Sequence, residues 1–196
     1  YVFKHFFYHR LAQEVSFTSD ISAFVAHSGP KMSYGDAPLG NEFFIAANGL
    51  LTEQGINPVD ISVFEWEGMP AFFASSEKSQ FPFDFFAASF YLMTRYEEYM
   101  PYTTDDLGRF KSEESLAYKY NFLDLPLIDM WFNHFVAVWT NFFELPSFSQ
   151  QLNTAELVVE IPQLYAYKYK TLFRSFFEGL YDLGSLKFAM TFDRLM

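Results

Sequence analysis

Two imidazoles stand four residues apart in HFFYH, His5 and His9, and on a helix that spacing lets both reach one divalent ion. The stretch lacks the glutamate that zinc proteases place between such histidines, so a third ligand has to be a distant carboxylate. A metal hydrolase built on His5 and His9 is one expectation, weighed against two histidines on a solvated helix face. His27 beside the Ser28-Gly29-Pro30 turn and His134 within an apolar stretch read as structural histidines whose polar atoms find partners. Cysteine is absent, and no serine sits in a G-x-S-x-G elbow or an S-x-x-K pair. Thiolate chemistry and disulfides are thereby excluded, and a serine triad has no support.

A denser knot of charge lies at the end of PFDFFAASFYLMTRYEEYMPY, residues 82–102, where an almost wholly apolar segment gives way to Arg95, Glu97 and Glu98. Arg95 reaches Glu98 at i+3, and Asp105, Asp106 and Arg109 of DDLGRF can fold back over them. One ion network joining helix end to loop is expected, pinning residues 103–110. Its role is read as architectural, although paired carboxylates can also do acid/base work. Tyr165, Tyr167 and Tyr169 alternate with Lys168 and Lys170 and carry rings that stack on sugars. On a helix Tyr165 and Tyr169 share a face that Tyr167 leaves, so packing is the expectation there.

These groups must be positioned by the elements around them. Val2, Phe3, Phe6, Phe7 and Leu11 recur at helical spacing and predict an amphipathic opening helix. EVSFTSD alternates like a strand, and Asp20 caps a short helix through Ala26. KMSYG, NEFFIAA and ISVFEWEG read as further strands. A helix over 84–99 is stopped by Pro101, and LPLIDMWFNHFVAVWTNFFELP is a second apolar helix closed by Pro146. The fold class is therefore mixed α/β (α+β), with a small mixed sheet packed against two long apolar helices. SFSQQLNT reads as a linker, AELVVEI as a strand, and the stretch to Gly184 as an amphipathic helix. Two regions result, an α/β domain over 1–150 and a strand-helix segment over 151–196.

The totals narrow the function classes. A chain of 196 residues that is 51% hydrophobic, with 27 phenylalanines, has ample apolar surface for a packed core. Its net charge of -11 repels nucleic acid and anionic membrane surfaces. No phosphate-cradling glycine motif is present. No apolar run reaches the roughly 18 residues a membrane helix needs; the nearest, 125–143, is broken by Asp129, Asn133, His134 and Asn141. The opening residues carry no signal-peptide pattern, which leans towards a cytoplasmic location while leaving the compartment and the oligomeric state open.

HSGPKMSYGDAPLGNEFFIAANGLL, followed by the stretch from Pro82 through Trp131 and by residues 165–170, resembles the uncharacterised N-terminal domain of bacterial polysaccharide deacetylase (NodB-homology) proteins. The resemblance implies a parent hydrolase that removes acetyl groups from N-acetylated sugars with a zinc-like divalent metal. In that family a Thr-x-Asp-x-Asp motif supplies a base and a metal ligand, and a later motif adds two histidines. Here Val158-Val159-Glu160-Ile161-Pro162 occupies the first motif, so Glu160 replaces one carboxylate and Pro162 has no ligating atom. Thr191-Phe192-Asp193-Arg194 imitates the motif, but arginine cannot hold a cation. The roughly 40 residues after the linker are too few for a barrel whose strand-helix units take about 30 each.

The expectation is a non-catalytic domain, without a cofactor of its own, that docks a C-terminal deacetylase-like domain or contacts carbohydrate. A stand-alone glycan-binding module using exposed aromatics is the alternative.

Overall fold

The computed structural model describes residues 1–146 and 157–160, together with 177, 180, 181, 184 and 185. The chain forms two compact units, Tyr1–Ser149 and Gln150–Met196.

In the first unit, α1 (Val2–Lys4) continues as a π-helical turn, His5–Arg10, that buries Val2, Phe6 and Phe7. Asp20 accepts from the Ser22 and Ala23 amides and caps α2 (Ile21–Ala26), whose residues all remain at least partly exposed. Strands β1 (Met32–Gly35) and β2 (Phe43–Ala46) pair in parallel, Met32 opposite Phe43. Glu42 stitches their short return loop by accepting from Ser33 Oγ at 2.5 Å and the Leu39 amide at 2.7 Å. Burial opposes ionisation of Glu42, yet these hydrogen bonds prevail and hold its carboxyl below the usual range.

Strands β3 (Phe64–Trp66) and β4 (Met69–Ala71) form a separate antiparallel hairpin. Its two-residue turn, Glu67-Gly68, has φ of 49° and 76°, the left-handed pair that such hairpins require. Helix α3 spans Phe85–Met93, α4 Leu116–Lys119 and α5 Leu127–Phe142. Along α5, Leu127, Trp131, Phe135 and Trp139 recur every four residues and form its buried stripe. Phenylalanine rings meet there from distant segments: Phe85 lies 4.8 Å from Phe135 and Phe6 lies 5.1 Å from Phe132, centroid to centroid. Trp131 donates its indole N–H to the Pro70 carbonyl at 3.0 Å, tying α5 to β4.

The architecture is mixed α/β with small sheets and several helices, and its details depart from the pattern-based expectation. The strands form two separate two-stranded ribbons, where one small mixed sheet is predicted. EVSFTSD forms no strand, because its alternating residues are exposed and have no neighbouring strand to pair with. The predicted helix over 84–99 stops at Met93; Arg95 turns left-handed at φ 52°, and Tyr96–Tyr99 continues as a 3-10 turn. Of the two helices expected to be long and apolar, α3 has nine residues and α5 sixteen. In the second unit residues 157–160 adopt no strand, and most of the predicted strand-helix segment lies outside the described residues.

Candidate functional site

The charged residues singled out at the end of α3 resolve into separate pairs. Arg95 binds Glu98, and on the loop Arg109 binds Asp105 at 2.8 Å. Asp105 organises that loop, accepting from the Leu107 amide at 2.9 Å and from the Arg109 amide at 2.8 Å. The Arg109 hydrogen bonds, backbone first, hold the Asp105 carboxyl below its ordinary range. Thr104 and Phe110 bridge the loop ends, and Gly108 supplies the left-handed residue at φ 75°.

Glu97 faces elsewhere. It accepts from the Leu116 amide at 2.8 Å, and partial burial raises its carboxyl above the usual range despite that bond. Asp106 is exposed and belongs to neither pair. The predicted single network is thus two local pairs, because each arginine has a carboxylate three or four residues away and no need to reach across.

The two pairs face a common space. Arg95 and Glu98 on one bank, and Asp105, Arg109, Phe110 and Lys111 on the other, line an open groove of about 940 Å³. In each pair the acidic side chain is 29% exposed and the arginine side chain 70%. Phe110 is braced by Tyr102, edge to face at 5.0 Å between centroids. Sequence reasoning missed Phe110, Lys111, Ser112 and Glu113 as groove residues. The aromatic next to Arg109 is the signal that could have found them.

The opening helix places His5 and His9 side by side, ring centroids 6.1 Å apart. The acidic group that acts on His5, Asp129, is held by Arg10 at 2.5 Å, and Arg10 also lies over the Phe132 ring. Burial first, then the charges of Arg10 and His9, lowers the His5 pKa. A carboxylate already neutralised by a guanidinium is a poor cation ligand, and no cluster of three metal-binding side chains occurs among the described residues. His134 meets Glu67 at 3.1 Å beside the Trp66 ring, the structural partnership expected of it.

Asp84 is an acid buried completely, at 0% exposure. It accepts from Tyr34 Oη at 2.6 Å, the Asn48 amide at 2.8 Å and the Ala87 amide at 3.0 Å. Those donors engage both of its oxygens and give it a structural role. In the second unit Glu160 is exposed next to Leu157, Val158 and Val159. Tyr165, Tyr167, Tyr169 and the Thr191–Arg194 motif lie outside the described residues.

Small paired strands, short helices, a phenylalanine core and a charged surface groove together define a mixed α/β domain. The chain belongs to the DUF7033 family, a family of unknown function, whose profile matches residues 1–144. No curated protein and no solved structure matches it. No described helix is long and apolar enough to cross a membrane.

Proposed function

We propose that this chain is the N-terminal, non-catalytic part of a polysaccharide deacetylase-like protein and serves to dock the catalytic portion of that protein. Residues 151–196 then correspond to the first strand and helix of the deacetylase-like region. The observation that carries this reading is the run Leu157-Val158-Val159, exposed at 88%, 78% and 66%. A continuous apolar run of leucine and valine is the sequence of a strand covered on both faces, and no strand among the described residues pairs with it. Strands of a catalytic barrel would cover it and leave Glu160 at the strand end where the family places its first motif.

The gene tests the reading directly. Its frame past codon 196 is expected to encode a His-x-x-x-His motif within a series of strand-helix units. A frame that stops there, or encodes an unrelated fold, overturns the assignment. Acetate release from N-acetylated chitooligosaccharides by the chain itself, abolished by a chelator, would overturn the non-catalytic part.

A second reading, contact with glycan, is favoured by the groove between residues 95–98 and 105–113, which places an aromatic ring among paired donors and acceptors.

A further inference from the structure

We propose that this groove binds a neutral oligosaccharide through its two arginine–carboxylate pairs and the Phe110 ring. The proposal rests on the glycan-contact reading and owes nothing to the deacetylase assignment. A sugar hydroxyl donates one hydrogen bond and accepts others, so it is matched by a surface that sets acceptor and donor side by side. Each bank does so: Glu98 is paired with Arg95, and Asp105 with Arg109, with both arginine side chains largely exposed. Phe110, backed by Tyr102, gives an apolar wall for the C–H face of a pyranose.

Charge decides between ligand classes. Arg95, Arg109 and Lys111 are balanced in the groove by Glu98, Asp105 and Glu113. A polyanion gains no net attraction from that lining and is opposed by the chain's net charge of -11. A polycation meets the exposed guanidiniums first. A neutral polyhydroxyl ligand incurs neither penalty.

The banks are also set before any ligand arrives, one by the bonds Asp105 makes within its loop, the other by the left-handed turn at Arg95 and the Glu98 amide bond to its carbonyl at 2.9 Å. Binding therefore costs little ordering of the protein. A space of about 940 Å³ is near the upper end of small-ligand sites and suits several sugar units better than one.

Isothermal titration of the whole chain with chitotetraose, cellotetraose and maltotetraose, and with oligogalacturonate as the anionic counterpart, at low and high sodium chloride, tests the proposal. At least one of the neutral probes is expected to bind with an affinity that salt leaves unchanged, since no net charge is screened. Arg109→Ala, Arg109→Lys and Phe110→Ala should each weaken it about tenfold or more. Near-UV circular dichroism shows whether each variant is folded; the two Arg109 variants alter an exposed side chain and keep the test valid if Phe110→Ala unfolds. Binding that survives the Arg109 substitutions overturns the groove while glycan contact stands. Absence of binding by every neutral probe overturns both. Binding confined to oligogalacturonate, or lost in high salt, assigns a charged ligand and overturns the proposal.

Discussion

Asp84 is where three segments converge, and its chemistry makes a sharp prediction. Its carboxylate takes hydrogen bonds from β1 through Tyr34, from the chain after β2 through Asn48, and from its own helix through Ala87. Asp84→Ala leaves those donors without acceptors inside the protein and removes the cap of α3. The loss should be at least about 2 kcal/mol in urea unfolding. Desolvation raises the Asp84 pKa despite the Tyr34 hydrogen bond, so the folded state binds its proton more tightly than the unfolded chain does. The contribution tied to that proton is full below the unfolded value of about 4 and is lost as pH rises through the folded one. The unfolding free energy of the native protein minus that of Asp84→Asn should therefore fall as pH rises above about 4; a difference flat with pH contradicts it. The start of the helix at Asp84 was legible, whereas the Tyr34 contact, 50 residues away in sequence, depends on tertiary packing that no local pattern encodes.

The end of α3 shows how far local sequence decides an element. Tyrosine, arginine and glutamate all sustain a helix, and residues 94–99 contain no glycine or proline to interrupt one. The break comes from elsewhere. Thr94 turns its hydroxyl back to the Phe90 carbonyl at 2.7 Å, and Tyr96 is buried with its hydroxyl bonded to the backbone of Asn57. Placing Tyr96 there requires a left-handed residue before it, and Arg95 fills that place.

The strands divide in the same way. NEFFIAA was legible because Phe43, Phe44 and Ile45 cluster there, and KMSYG because it is a short stretch between turn residues, while β4 was hidden by Pro70 within it. The Arg95–Glu98 pair of the candidate groove was legible from its i+3 spacing, but that Arg109 keeps to Asp105 was not, since it follows from the tight loop that Asp105 closes on the Leu107 and Arg109 amides. Because Asp105, and not Arg95, closes the loop, Asp105→Ala should speed amide hydrogen exchange at Leu107 and Arg109, while Arg95→Ala leaves both rates unchanged. Faster exchange in Arg95→Ala alone would restore the idea of a single network pinning the loop from the helix.

For the whole molecule, the most consequential feature is that one core accounts for the first unit. Its buried side chains run from Val2 to Trp139, and Phe6 from the first helix and Phe135 from α5 lie in the same ring cluster with Phe85 and Phe86. A core closed by residues so far apart in sequence cannot be shortened from the front without exposing Phe6, yet it needs no buried side chain beyond α5 among those described. A fragment ending at Pro146 should therefore fold by itself, as the extent of the DUF7033 match to residues 1–144 also suggests. Its near-UV circular dichroism should show fixed aromatic packing. Its melting temperature should lie within about 4 °C of that of the first unit in the whole chain, the shift expected of roughly 1 kcal/mol in a domain this size. Loss of the near-UV signal in the fragment, with far-UV helicity retained, would mean that residues past 146 complete the core. The ring cluster would then be a nucleus that is not sufficient for a folded domain.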